Sequence, residues 1–161
     1  KTSPIIYGGG HEGGLRSGTE NVPAILGFAA AIKALSENFA ALTKRCSDVR
    51  EHIINTLKIQ CRDVKINIPP VAAPHILSLT VPGIKSETML NYLSSCGICV
   101  SSGSACSSHG KLQSRALAAF GLSAADADTT IRLSFSGENT TAEADEFISA
   151  LKDGIKRLCK I

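Results

Sequence analysis

The run Ser101-Ser102-Gly103-Ser104-Ala105-Cys106-Ser107-Ser108-His109-Gly110 sets one thiol among small, polar, flexible residues. A structural cysteine ordinarily behaves as a small hydrophobe with apolar neighbours. Cys106 has none in sequence, and Gly103 and Gly110 bracket it. Such a segment presents a reachable sulfur, and the thiolate is the nucleophilic form, so access and a nearby positive charge matter more than packing. His109 is a candidate to polarise that thiol or an ordinary solvated loop residue. Arg132 sits between Ile131 and Leu133 in a strand-like run. It is either an exposed-face residue or, aimed into a cleft, a two-pronged clamp for a carboxylate.

Two further patterns invite chemistry. Gly8-x-Gly10-x-x-Gly13 matches the glycine spacing of a dinucleotide-binding loop. That motif needs a helix starting inside it, whereas the next helix signal here is near residue 22. The alternatives are an ordinary glycine-rich surface loop and a loop whose backbone amides, with Arg16, Ser17 and Thr19, could hold an anion such as phosphate. Cys96-Gly97-Ile98-Cys99 is a C-x-x-C, but it falls at a helix C-terminus, where the dipole has the wrong sign for a redox thiol. Zinc would need two more ligands, and no second paired motif exists, so no metal is expected and the pair reads as half-buried helix-end and strand cysteines.

The elements that must position these residues follow from periodicity. A short strand is expected at Ile5-Ile6-Tyr7, before the glycine-rich loop. Asn21 and Pro23 mark a helix start. Apolar residues then recur at Phe28, Ile32, Leu35, Phe39, Leu42, Cys46, Val49 and Ile53, one unbroken helical stripe. A helix of that length in a globular chain predicts a bridge between two domains. Strands are expected around Val64–Ile68, Leu77–Val81, Ile98–Val100 and Ile131–Phe135. Ser86 is expected to cap a short helix closed by Gly97, and a second short helix carries Leu117 and Phe120. Thr140-x-x-Glu143 is a capping box opening a last helix with Phe147, Leu151, Ile155 and Leu158 on one face. The order predicts an α+β layer with helices covering a sheet.

Composition excludes several classes. With 161 residues, 43% hydrophobic and 19% charged, the chain is globular. A net charge of +3 without a block of like charge argues against nucleic acid as a partner. No uninterrupted apolar run reaches the ~18 residues that span a membrane, so no membrane partner is expected. Six irregularly spaced cysteines read as reduced thiols in a cytoplasmic protein.

Taken together the motifs resemble the NifS/IscS type of cysteine desulfurase, within the class V aminotransferases. The resemblance rests on Gly8–Glu12 through Arg16–Thr19, on Leu77-Ser78-Leu79 with Pro82-Gly83, on Val100 through Ser108, and on Ile131–Ser134 followed by Asn139-Thr140. It implies the small C-terminal domain of a fold-type-I pyridoxal-phosphate enzyme (residues 41–161), preceded by the tail of a large cofactor domain and the first half of the bridging helix (residues 1–40). It implies conversion of L-cysteine to L-alanine with pyridoxal 5′-phosphate as electron sink, in a homodimer that hands sulfur to an acceptor protein, as for iron–sulfur cluster assembly. By resemblance Cys106 is the nucleophile and persulfide carrier, Arg132 binds the substrate carboxylate, and Thr19 reaches the cofactor phosphate of the partner subunit. The family's Schiff-base lysine lies upstream of the glycine loop, and no lysine here has that setting, so the chain is expected to be a fragment inactive by itself. Its helical stripe at Phe28, Ile32 and Leu35 is then expected to drive self-association. Ser78 and Gln113 depart from the family, which often has asparagine and proline there. The alternative is a non-enzymatic sulfur-relay module in which Cys106 accepts sulfur without the cofactor.

Overall fold

The computed structural model describes residues 2–102 and 115–159. The chain divides into two compact units, residues 1–39 and 40–161. In the first, a 3-10 turn at Glu12–Gly14 follows a loop of left-handed glycines, and a single parallel bridge, Ile6 to Arg16, stands where a short strand was expected. Helix α1 (Val22–Gln60) begins as the sequence predicts, with the Ala24 amide donating to Asn21 Oδ1 at 3.2 Å.

The second unit is built on four antiparallel strands: β1 (Lys65–Asn67), β2 (Ile76–Thr80), β3 (Ser101–Ser102) and β4 (Thr130–Ser134), in the order β1-β2-β4-β3. Helices α2 (Ser86–Ser95) and α5 (Thr141–Leu158), with the C-terminal half of α1, supply the apolar residues that meet them. Leu77, Leu79, Ile131 and Leu133 point to that side and are buried with Ile53, Leu57, Met89, Leu93, Phe147 and Leu151. Each such side chain contributes roughly 1.5–3 kcal/mol over its exposed state. Two short helices, α3 (Arg115–Ala119) and α4 (Ala124–Asp128), complete the described chain.

Several boundaries move for identifiable reasons. Thr140 and Glu143 form the expected capping box, each side chain accepting from the other residue's backbone amide. Ser86 does not cap α2: Lys85 is the N-cap position, and Ser86 lies inside the helix with its hydroxyl buried and without a partner among the described residues. The third strand lies at Ser101–Ser102 instead of Ile98–Val100, because the Ile98 amide is taken by the Leu93 carbonyl at 2.9 Å in closing α2. Helix α4 was not expected. Its cap is Ser123, which accepts from the Asp126 amide at 3.1 Å.

The stripe along α1 has two fates. Cys46, Val49, Ile53, Ile54 and Leu57 are buried, while Phe28, Ile32, Leu35 and Phe39 remain 50–69% exposed. Contrary to the expectation from uninterrupted runs, α1 is long and apolar enough to cross a membrane by length and composition, with an 18-residue window of mean hydropathy 1.4. Its many alanines raise that average without forming a run of large apolar residues, and none of that window is buried.

Candidate active site

Strand pairing decides which way Arg132 faces. Asn67 pairs with Ser78, Ser78 with Arg132, and Arg132 with Ser101, so these four residues form one row across all four strands. Because side chains alternate across a strand, the row lies opposite the leucine face. Arg132 is exposed there, and its Nη2 donates to Ser101 Oγ at 3.3 Å. Among the described residues it makes no ion pair. A guanidinium held by a neutral hydroxyl keeps its charge and most of its donors available to an anion.

The neighbouring row is closed and fully specified. Thr130 Oγ1 donates to the Asp126 carbonyl at 2.7 Å, which leaves Thr80 Oγ1 to donate to Thr130 Oγ1 at 2.7 Å. Thr80 in turn accepts from Asn67 Nδ2 at 2.9 Å. Asn67 Nδ2 also donates to Ser78 Oγ at 3.2 Å. Helix α4 helps to fasten this end: Lys65 on β1 reaches Asp126 Oδ1 at 2.8 Å. The Lys65 ammonium, and then the Ser123 hydroxyl, hold the Asp126 carboxyl below the usual carboxylate range. Thr80 and Thr130 are buried, whereas Arg132 and Ser134 stand open. The polar face is therefore sealed at one end and accessible at the other.

Cys106, His109 and Gln113 lie outside the described residues; in sequence Cys106 follows Ser102, the last residue of β3, by four positions. In the glycine loop, Arg16 Nη1 donates to the carbonyls of Gly18 (2.9 Å) and Thr19 (3.1 Å), which ties it into the loop's own backbone. Ser17 is buried, and a Cβ on Gly8 would sit 2.9 Å from its Cβ. Of the loop's three candidate anion holders, only Thr19 has an exposed side chain without a hydrogen-bond partner among the described residues.

Cys96 and Cys99 are both exposed free thiols, where half-burial was expected. Among the described residues no cluster of His, Cys, Asp and Glu could hold a metal. Cys99 borders a cavity of about 350 Å³ between Ile98–Val100, Leu133–Phe135 and the start of α5, and Arg132 is not part of it. Near Cys96, Tyr92 donates to Asp153 Oδ2 at 2.5 Å, and this bond pushes the phenol up to about 12.

An antiparallel sheet with helices on one side and an arginine on the other, entered through a long helix, is the small-domain arrangement of a pyridoxal-phosphate-dependent transferase. The family described as Aminotransferase class-V matches residues 9–147, and the chain belongs to that family. It is 36% identical over 159 residues to the cysteine desulfurase IscS 1 of Archaeoglobus fulgidus, covering 98% of this chain and 41% of that protein. It is 35% identical over 160 residues to the putative cysteine desulfurase IscS 1 of Bacillus subtilis, covering 98% of this chain and 42% of that protein. The X-ray structure of a NifS-like protein from Rickettsia africae matches with a TM-score of 0.81 and 31% identity, over 97% of this chain and 41% of that one. The chain thus spans about two fifths of the length of these curated relatives.

Proposed function

We propose that this chain is the sulfur-carrying part of a cysteine desulfurase. Its thiol Cys106 takes the sulfur of L-cysteine as a persulfide and leaves L-alanine. The balance is complete: L-cysteine and the Cys106 thiol give L-alanine and Cys106–S–SH, with one C–S bond broken, one S–S bond formed and no external oxidant. Arg132 supports this reading most directly. Its guanidinium stands on the open end of the polar face without a carboxylate partner among the described residues, on the strand paired with β3, which in sequence leads to Cys106. A two-pronged donor of this kind suits the carboxylate of an amino acid.

Pyridoxal 5′-phosphate, when bound, supplies the electron sink that amino-acid chemistry of this type needs. The residues present fit a share of it: Thr19 has an exposed hydroxyl without a partner among the described residues, in a loop stiffened by Arg16, suited to donate to a phosphate oxygen. In the assignment carried by resemblance, that phosphate belongs to the partner subunit of a homodimer. No lysine stands beside the glycine loop in the family's setting, so the isolated chain is proposed to be without turnover. Sulfur then passes from Cys106 to an acceptor protein.

The test compares the 161-residue chain with the longer enzyme that carries it, each supplied with pyridoxal phosphate and L-cysteine. Alanine release and sulfane sulfur on Cys106 are expected from the longer enzyme, and neither from the chain alone. Cys106→Ser should abolish the persulfide in the longer enzyme. Turnover by the isolated chain would overturn the division of the active site. Uptake of sulfane sulfur by the chain from an inorganic polysulfide, in an enzyme that releases no alanine, would favour a relay module instead.

A further inference from the structure

The row Asn67–Ser78–Arg132–Ser101 contains more than one binding group. The residues pair directly in register across β1, β2, β4 and β3, which places successive Cβ atoms about 4.5–5.5 Å apart on one face. Ser101 Oγ accepts from Arg132 Nη2 at 3.3 Å. A hydroxyl on β3 can restrain a guanidinium without neutralising it; a carboxylate at that position would occupy the charge. Ser78, on the other flank, accepts from Asn67 Nδ2 at 3.2 Å. Asn67 is itself fixed by its second bond, to the buried Thr80–Thr130 pair. With an acceptor site of Ser78 taken, its O–H has no acceptor among the described side chains and remains a donor beside Arg132.

We propose that Ser101 is a positioning residue that holds the Arg132 guanidinium, and that Ser78 is a second donor to the same bound carboxylate, so that the row as a whole forms a carboxylate cradle. This rests on the reading in which Arg132 takes the substrate carboxylate, and it extends that reading to two residues with no assigned role. The cradle explains why the row is polar on every strand although only Arg132 in it is exposed. It also makes the site selective: a guanidinium and a hydroxyl on adjacent strands present donors to both oxygens of one carboxylate, whereas an amide in the same place offers only one acceptor.

The experiment uses the whole 161-residue chain and reads the Arg132 side-chain N–H signals together with the backbone amides of β2 and β4 by NMR during titration with L-alanine, with L-alaninamide as the control that lacks a carboxylate; the backbone amides report binding in Arg132→Ala. Ser101→Thr keeps the hydroxyl and Ser101→Val removes it at nearly equal volume, and both suit a strand. L-Alanine, but not its amide, should shift the Arg132 signal in the wild type. Loss of one hydrogen bond predicts weakening of about fivefold for Ser101→Val and for Ser78→Ala, with Ser101→Thr within about twofold of wild type. Arg132→Ala should abolish binding while the backbone amide spectrum stays dispersed. If alanine and its amide act alike on the wild type, or if Arg132→Ala still binds alanine, the underlying reading of Arg132 fails. If Arg132→Ala abolishes binding but Ser101→Val and Ser78→Ala bind as the wild type does, the cradle fails and the reading of Arg132 stands. Equal loss in Ser101→Thr and Ser101→Val also overturns the cradle, since the hydroxyl would then not be what matters.

Discussion

One side of the sheet carries Leu77, Leu79, Ile131 and Leu133, buried with α1, α2 and α5; the other carries Asn67, Ser78, Arg132 and Ser101, with Arg132 open to solvent. The same strands make both, since alternate residues point opposite ways. On the covered side stability comes from removing apolar area from water, and the identity of each side chain matters through volume. On the open side little area is buried, and what matters is which donors are left unspent. A domain that is stable through one face can leave a positive charge unpaired on the other.

That contrast can be broken by substitution. Leu79→Ala, on the covered face and fully buried, is expected to lower unfolding free energy by about 2–5 kcal/mol in urea denaturation. A loss below ~1 kcal/mol would mean the covered face is not the source of stability. Thr130→Val tests the sealed end of the polar face. It leaves the Asp126 carbonyl without the Thr130 donor and Thr80 without its acceptor, so a loss of about 1–3 kcal/mol is expected, read from the same denaturation curves. Arg132→Ala, at the open end, should move stability by no more than about 0.5 kcal/mol while abolishing carboxylate binding. A large loss of stability there would make Arg132 a structural residue.

The smallest effect concerns acid. Asp126 titrates below the ordinary carboxylate range because Lys65, and then Ser123, favour its charged form. A carboxyl depressed in the folded state contributes stability that is fully present above its unfolded pKa and fades as pH falls through the lower folded value. Helix α4 should therefore keep its hold on Lys65 at mildly acidic pH and loosen only below the ordinary Asp range. NMR titration of Asp126 checks this. In Lys65→Met its pKa should return towards the ordinary value; an unchanged titration would remove the ion pair as the cause.

The first half of α1 sharpens the lesson from another direction. Phe28, Ile32 and Leu35 belong to the same alternating four-and-three stripe as Cys46, Val49 and Ile53, yet only the second set is buried. Spacing tells which side of a helix is apolar and not whether anything covers it. Light scattering is expected to show self-association of the 161-residue chain through this stripe, and an Ile32→Glu variant should reduce it; a monomeric wild type would count against the expectation.

Much of the fold was legible because it depends on local chemistry. Asn21, Gly97 and the Thr140–Glu143 box mark helix ends through bonds spanning a few residues. Helix α4 was missed because five residues are too few to show a period, although Ser123 three residues before Asp126 carries its cap signal. The strand expected at Ile98–Val100 was misplaced because β-branched composition does not reveal that the Ile98 amide is already spent closing α2. Arg132 could be singled out, but its two readings stayed open until the register was known. Ser101 was read only as part of the Cys106 segment and Asn67 only as a strand residue, because each joins Arg132 only by pairing with residues distant in sequence.

The sequence by itself determined the long helix, the Asn21 and Thr140 caps, the alternation of β2 and β4 and the family to which the motifs point, since all of these are written in neighbours along the chain. Only the tertiary structure decided that β4 inserts between β2 and β3. That order turns isolated polar residues on four strands into one row that holds Arg132, whose guanidinium makes no ion pair among the described residues. The physical reason is that strand order is set by how a whole leucine face packs beneath its helices, a sum over residues far apart that no local pattern contains.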